Sequence, residues 1–321
     1  MDYVKLGRTA LNVSRLCMGT MQFGWSLGEA DSHHVLSETF AAGINFFDTA
    51  DVYSNWVEGN PGGVSETYLG SWIKSNKIPR DQIVLATKVR GEMGEGPDNQ
   101  GLGRAHIIKA VEGSLKRLQT DFIDLYQSHS PDDSTPIEET LRAYNELIRQ
   151  GKVRYIGASN YKSADLMHAM LVSGQYNLAR YDCLQPHYNL IWREEFEAQL
   201  RDLCETYNLG VIPYSPLAGG FLTGKYRKGQ SLPESKRAQG RTRAMTDKNF
   251  ALIDKMDEIA GAYHATISQI ALAWMLADPV ITSPIIGATS VEQLKENLGS
   301  LTVKLTPEEM DILNSMTAWK R

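Results

Sequence analysis

Short apolar runs alternate with stretches of helical periodicity along the chain, and this alternation constrains the fold more than any other feature. Most runs are continuously hydrophobic, as is typical of strands buried on both faces of a parallel sheet. The eight strand candidates are SRLCMGT, GINFFDTA, QIVLATK, FIDLYQSH, VRYIGAS, YDCLQPH, LGVIPYS and TSPIIGA. A β-hairpin is predicted before them, from YVKL, GRT and ALNVS. Eight strand–helix repeats predict an α/β fold, a (β/α)8 TIM barrel with an N-terminal β-hairpin, over residues 1–321 as a single domain.

An open doubly wound sheet is the alternative fold for such an alternation. A sheet of that kind usually carries G-x-G-x-x-G after its first strand when it binds a dinucleotide. No such motif occurs in the chain, and the repeat count therefore favours the barrel.

Composition excludes several broad classes of protein. A formal net charge of −5 argues against a bulk nucleic-acid binder. No apolar stretch approaches 18 residues, so no membrane span is expected, and no signal peptide is expected either, since a basic segment followed by an apolar run is missing. Three cysteines without a C-x-x-C pair predict reduced thiols in a cytoplasmic protein. Nothing in the sequence predicts an oligomeric state.

The clearest helical pattern is TPIEETLRAYNELIRQG. Thr135 is predicted to cap this helix, with Pro136 in its first turn and Glu138 completing a capping box. Gly151 is predicted to end it.

Three connections are longer than the others, and each follows the carboxyl end of a predicted strand. They are SNWVEGNPGGVSE, RGEMGEGPDNQGLGR and the segment from Leu217 to about Met245. In a barrel, that end of the strands carries the active site, and long loops in compact domains are often functional. A site is therefore predicted at this mouth of the barrel.

Four polar residues lie where three successive predicted strands end: Asp48 and Tyr53, then Lys88, then His129. Taken singly, such residues are typical of turns, surfaces or cores, and only their joint placement favours a function. Lys88 is expected to lower the pKa of Tyr53, with Asp48 as the counter-charge of the buried ammonium. Tyr53 would then donate a proton to an alkoxide formed from a carbonyl, while His129 orients that carbonyl. A proton donor without a protein nucleophile indicates that a hydride arrives from a nicotinamide.

At this point the sequence resembles the aldo-keto reductase family almost from end to end. The resemblance rests on DTADVY, ATK, QSHSPDD, GASN, QP, YSPLAGG and GATSVEQLKEN. It implies a barrel that binds NAD(P)H across its C-terminal mouth and a catalytic tetrad of Asp48, Tyr53, Lys88 and His129, with Tyr53 as general acid. The branch it resembles most includes potassium-channel β subunits and bacterial reductases.

The resemblance also implies a set of cofactor-binding residues. They are Gly19, Thr20, Met21, Asp48, Ser159, Asn160, Gln185, Tyr214, Ser215, Pro216, Leu217, Gly219, Gly287, Thr289, Gln293, Glu296 and Asn297. In the locally basic segment 225–243, Lys225 and Arg237 are expected to bind phosphate, which favours NADP. Many family members carry Arg where this chain has Thr289, so NAD stays open as the alternative.

The expected activity is the reduction of aldehydes or ketones to alcohols by an NAD(P)H-dependent aldo-keto reductase of the alcohol dehydrogenase or carbonyl reductase class. An NADP(H)-sensing regulatory subunit is the alternative. An aldolase is disfavoured because Lys88 has a carboxylate partner, and a hydrolase fits poorly because no activated nucleophile with a paired base is present. No metal is expected, since no histidine lies in H-E-x-x-H.

Trp25, Trp56 and Met93 in the mouth loops are expected to line the substrate pocket, and a small-molecule carbonyl compound is the expected partner.

Overall fold

The computed structural model describes residues 1–230 and 244–319, and its centre is an eight-stranded parallel sheet. The strands are β3 (Cys17–Gly19), β4 (Phe46–Asp48), β5 (Val84–Val89), β6 (Ile123–Ser128), β7 (Val153–Ser159), β8 (Tyr181–Gln185), β9 (Gly210–Val211) and β10 (Ile285–Ile286). They pair in the order β10-β3-β4-β5-β6-β7-β8-β9. Backbone hydrogen bonds from Thr282 to Val211 (2.9 Å) and from Ile285 to Pro213 (2.8 Å) join the two edges and close the barrel. The predicted (β/α)8 architecture is confirmed.

Helices surround the sheet. They are α1 (Glu29–Ala41), α2 (Val64–Ser75), α3 (Arg104–Leu118), α4 (Ile137–Arg149), α5 (Ser163–Tyr176), α6 (Arg201–Tyr207), α7 (Asp247–Tyr263), α8 (Ile267–Ala277), α9 (Val291–Gly299) and α10 (Pro307–Met316). Short 3₁₀ turns occupy Arg80–Gln82, Pro97–Asn99 and Ala218–Thr223, and a π-helical turn, Phe196–Leu200, leads into α6. The helices lie on the outside of the barrel, where their apolar faces pack against the strands or against neighbouring helices, as α10 does on α7.

A hairpin of β1 (Tyr3–Lys5) and β2 (Asn12–Ser14) precedes the barrel, as predicted. Its Leu6, Leu11 and Val13 belong to the same apolar cluster as the inward-facing strand residues Cys17 and Phe46. Because these side chains fill the amino-terminal end of the barrel, its interior is a packed core at that end. Any cavity must therefore open at the other end.

The predicted capping box of α4 is wrong. Pro136 takes the N-cap position and no side chain caps the helix. The Thr135 hydroxyl donates instead to Asp132 (2.8 Å), and Glu138 accepts a hydrogen bond from Arg142 (2.8 Å). The predicted end of the helix is confirmed, since Gly151 follows it with a left-handed φ of 74°.

Candidate active site

Lys88 lies at the centre of the polar cluster at the carboxyl end of the barrel. Its side chain is completely buried. Its ammonium group donates to Asp48 Oδ2 (2.5 Å), to the Tyr53 hydroxyl (2.9 Å) and to the Thr49 carbonyl (2.8 Å). Burial alone would lower the pKa of Lys88, but Asp48 and Tyr53 together raise it above its usual value. Lys88 therefore stays protonated and holds the carboxylate and the phenol on either side of it.

Two glutamine side chains hold the other oxygen of the carboxylate. Asp48 Oδ1 accepts hydrogen bonds from Gln127 (3.0 Å) and Gln185 (2.9 Å). Gln185 also donates to Gln127 Oε1 (3.1 Å). Both oxygens of the Asp48 carboxylate therefore have hydrogen-bond partners, which fixes its orientation beside Lys88. Sequence reasoning missed Gln127, although a glutamine near the carboxyl end of a buried strand was a signal, because it needs polar partners there.

The net pKa shift of Tyr53 has the opposite sign to the sequence prediction. Burial is the largest cause and raises the pKa, while Lys88 offsets only part of that effect. The predicted influence of the ammonium is thus present but does not dominate. The consequence is a phenol that remains protonated at neutral pH, which is the state that a proton donor requires.

His129 lies beside Tyr53, with the two ring centroids 5.8 Å apart and the rings edge to face. Its pKa is lowered to about 3, first by burial and then by the charges of Lys88 and Arg90. At neutral pH the imidazole is therefore uncharged, and it can donate a single N–H hydrogen bond without bringing charge into the site.

A cavity of about 830 Å³ opens over this cluster. Tyr53, Asp48 and His129 line it, whereas Lys88 lies beneath them. Its wall contains all the predicted cofactor residues in the described part of the chain: Gly19, Thr20, Met21, Asp48, Ser159, Asn160, Gln185, Tyr214, Ser215, Pro216, Leu217, Gly219, Lys225, Gly287, Thr289, Gln293, Glu296 and Asn297. Gln22, Ser26, Leu27, Gly220, Thr223, Ser268, Ile285 and Ile286 also line it and were not predicted. Arg237 lies outside the described residues.

One end of the cavity offers amide and aromatic groups. The Asn160 amide donates to the His129 carbonyl (2.9 Å) and accepts from the Tyr214 hydroxyl (2.8 Å). Ser159 donates to the Gln185 carbonyl (3.0 Å). One face of the Tyr214 ring stacks on His187, with centroids 5.0 Å apart and planes 18° apart. Tyr214 is therefore fixed in orientation where it lines the cavity.

The other end of the cavity is polar and carries charge of both signs. Thr289 donates through its backbone N–H (2.9 Å) and its hydroxyl (3.1 Å) to Gln293 Oε1. Glu296 accepts from Thr266 (2.9 Å). Lys225 reaches the wall beside Gly220, whose φ of 99° is left-handed. A side chain on Gly220 would lie 3.1 Å from the Lys225 ammonium, so glycine leaves room for that cation.

Trp25, Trp56 and Met93 are not among the residues that line this cavity. Trp25 and Trp56 pack edge to face (5.7 Å between centroids), and Trp56 packs against Tyr53 (6.2 Å). They form an aromatic wall beside the phenol. Met93 instead approaches Gly62.

A nicotinamide dinucleotide fits this donor set. The two ends of the cavity offer different groups. Amides and a stacked aromatic ring lie at one end, while a lysine and a hydroxyl-rich wall lie at the other. Its volume of about 830 Å³ is in the range of cofactor pockets. A metal finds no such fit, because the described residues contain no cluster of three or more His, Cys, Asp or Glu side chains able to hold one. In the same residues, no helix is both long enough and apolar enough to cross a membrane.

A closed parallel barrel with a buried Asp–Lys–Tyr cluster beneath a cavity at its carboxyl end defines the class of protein. Residues 15–318 match the family model of the aldo/keto reductase family. The chain belongs to that family, whose members generally use NAD(P)H.

Curated relatives match the chain over nearly its full length. "Uncharacterized oxidoreductase YrpG" of Bacillus subtilis (strain 168) is 38% identical over 98% of this chain and 96% of its own length. "Probable voltage-gated potassium channel subunit beta" of Oryza sativa subsp. japonica is 36% identical over 100% of this chain and 98% of its own. The predicted branch of the family is confirmed, and these comparisons support an oxidoreductase.

Proposed function

We propose that the protein is an NADPH-dependent reductase that converts aldehydes or ketones to alcohols. The observation that carries this proposal is the contact between the Lys88 ammonium and the Tyr53 hydroxyl (2.9 Å) at the bottom of the cavity. A reduced nicotinamide bound in this cavity would supply the hydride that the carbonyl carbon accepts.

The residues of the chain then have separate tasks. Tyr53 donates its proton to the carbonyl oxygen as negative charge develops there. Lys88, held in its charged form by Asp48, stabilises the phenolate left behind. Neutral His129 donates a hydrogen bond to the same oxygen and orients it before the proton moves.

The cofactor-binding proposal divides the cavity wall into three parts. Ser159, Asn160 and Gln185 would bind the carboxamide, and Tyr214 would stack on the nicotinamide. Ser215, Pro216, Leu217 and Gly219 would lie along the pyrophosphate, and Gly19, Thr20 and Met21 beside the ribose. Gly287, Thr289, Gln293, Glu296 and Asn297 would hold the adenosine end.

NADP is the proposed cofactor, with NAD as the alternative. Lys225 supports NADP, because it brings positive charge to the wall of the cavity, and Arg237 is proposed to act with it. Thr289 carries no charge, which is the reason NAD stays open. Comparing kcat/KM for NADPH and NADH decides the point: equal values would contradict a binding site for a ribose 2′-phosphate.

A second candidate function is an NADP(H)-sensing subunit with little turnover. It is favoured by the relative named as a potassium channel subunit beta. Against it stands the complete set of Asp48, Tyr53, Lys88 and His129, which a pure binding protein does not need. The two functions differ in turnover, not in cofactor affinity.

We further propose a single domain over residues 1–321 and a cytoplasmic setting. The three cysteines are free and buried, which supports a reducing compartment.

The proposal is tested by following NADPH oxidation over a panel of aldehydes, ketones and keto-sugars, with Tyr53→Phe as the diagnostic variant. We expect turnover to fall by about 10²–10⁴-fold, the usual contribution of a general acid, with NADPH affinity retained. Tyr126→Phe is the matched control, because it also removes a buried phenol hydroxyl but one outside the cavity. Wild-type turnover in Tyr53→Phe would refute the role of Tyr53, and absence of turnover in the wild type would favour the sensing subunit.

A further inference from the structure

Arg90 is held in an unfavourable backbone conformation at the mouth of the barrel. It directly follows β5, the strand that carries Lys88, and its φ is 136°, in the region that favours glycine. Its carbonyl accepts from the Gly101 N–H (3.0 Å), which ties together the two ends of the loop 91–101. Backbone strain of this kind persists only where the surroundings enforce it, and it concentrates at functional sites.

The guanidinium of Arg90 is fixed at one point and carries no counter-charge. Its Nε donates to the Pro131 carbonyl (3.1 Å). In residues 1–230 and 244–319 no carboxylate lies within 4 Å of Arg90. The nearby Asp132 turns its carboxylate to the Leu102 N–H and to the hydroxyl groups of Ser134 and Thr135. The exposed terminal nitrogens of Arg90 are therefore open to an acceptor from outside the protein.

Arg90 also brings positive charge to a site that is otherwise balanced. The charge of Lys88 is compensated by Asp48, and His129 is neutral at pH 7. The Nε bond of Arg90 is made to Pro131, only two residues beyond His129, and Arg90 acts electrostatically on the imidazole. Arg90 is not among the residues that line the cavity, so the substrate that would meet this uncompensated cation is one that extends from His129 towards Pro131.

We propose that Arg90 is a specificity-determining residue that binds a carboxylate on the substrate, so that the preferred substrates are aldehydes or ketones carrying an acidic group. The planar guanidinium suits a carboxylate, since its two terminal nitrogens can donate in parallel to both oxygens. Because Nε is already hydrogen-bonded, the orientation of the guanidinium is fixed before the substrate binds, which reduces the entropy lost on binding. This proposal rests on the proposed reductase function.

The test compares acids with their uncharged esters. The substrates are 3- and 4-carboxybenzaldehyde and the methyl esters of both, which differ in charge and in where the charge lies. We expect wild-type kcat/KM to favour at least one acid over its ester, and Arg90→Gln to reduce that ratio by about 10- to 100-fold, the usual range for a charge-assisted hydrogen bond. Higher salt should lower the ratio in the wild type.

Two further variants separate binding from folding. Arg142→Gln removes another exposed arginine, one paired with Glu138 on α4, and should leave the ratio unchanged. Arg90→Gly should lose the preference for the acid without a lower thermal unfolding midpoint, because glycine relieves the strained φ. A ratio that is the same in the wild type and Arg90→Gln overturns the proposal, even though ester turnover would leave the reductase function standing. If the wild type reduces none of the four aldehydes nor any carbonyl compound of the wider panel, the reductase function fails first and the Arg90 proposal fails with it.

Discussion

The two ends of the barrel each bury a carboxylate beside cations, yet they use it differently. At the amino-terminal end, Asp124 accepts from Arg80 (2.6 Å), from Arg154 (2.9 Å) and from the Leu85 N–H (2.9 Å). Both guanidinium groups lie over the Phe122 ring, at 3.9 and 4.0 Å. Every partner of Asp124 in this cluster belongs to the chain itself, so the cluster serves to stabilise the fold.

At the carboxyl end the corresponding cluster is left open on one side. Asp48 is held by Lys88 and two amides, but Lys88 also holds the Tyr53 hydroxyl, which faces a cavity. The difference is therefore not the presence of a buried ion pair but whether the pair controls a group that a small molecule can reach. Such a site presents a polar group to the cavity, where it is available for chemistry.

The largest effect is expected at the mouth. Lys88→Met leaves the Asp48 carboxylate buried without its cation, and it removes the charge that stabilises the phenolate. We expect turnover to fall by about 10²–10⁴-fold, together with a loss of about 3–5 kcal/mol in the free energy of unfolding. Steady-state kinetics and urea unfolding measure the two effects. As a control, Lys152→Met removes a partly exposed ion pair with Glu112 and should change neither substantially. Turnover near the wild-type value would contradict the role of Lys88.

The second prediction concerns the amino-terminal end alone. Asp124→Ala leaves the Leu85 N–H without its acceptor, and it leaves the largely buried Arg80 without its counter-charge. We expect the free energy of unfolding to fall by about 3 kcal/mol. The kcat/KM of the folded enzyme should stay within about twofold, because this cluster lies at the opposite end of the strands from the cavity. A drop in kcat/KM comparable to that of Lys88→Met would show that the two ends are not independent.

The strands and the position of the site were predictable because they depend on local patterns. Eight buried hydrophobic runs became eight strands in sequence order, and Asp48 and Lys88 converge since both stand at the carboxyl ends of paired strands. The sequence pattern could not show that other residues compete for the side chains of a predicted capping box. Thr135 and Glu138 have the spacing of a capping box, but Asp132 and Arg142 take their side chains. The same motif does form a capping box at Thr266, where Gln269 makes the reciprocal bond.

Burial is the other quantity that the sequence did not supply. The proximity of Lys88 and Tyr53 was predictable, but the net pKa shift of the phenol depends on how completely both groups are removed from water. The role proposed for Arg90 could not be predicted either, because it depends on a strained φ and on the carboxylate of Asp132, which binds other groups.

The smallest predicted effect is a pH dependence that originates at the mouth. His129 has a pKa of about 3 in the folded protein, against about 6.5 when unfolded. Because the unfolded chain binds the proton more readily, stability is lost as the pH falls below 6.5 and the loss continues towards pH 3. At pH 5 the loss is at most about 2 kcal/mol, and less where water in the cavity reaches the ring. We therefore expect His129→Gln to flatten the fall in the free energy of unfolding between pH 6.5 and pH 4 relative to the wild type. In the wild type, kcat should show no step near pH 6.5, since His129 stays neutral on both sides of it. Such a step, abolished by His129→Gln, would mean that the imidazole takes up a proton near pH 6.5 during turnover and adds a further positive charge to the carboxyl end of the barrel.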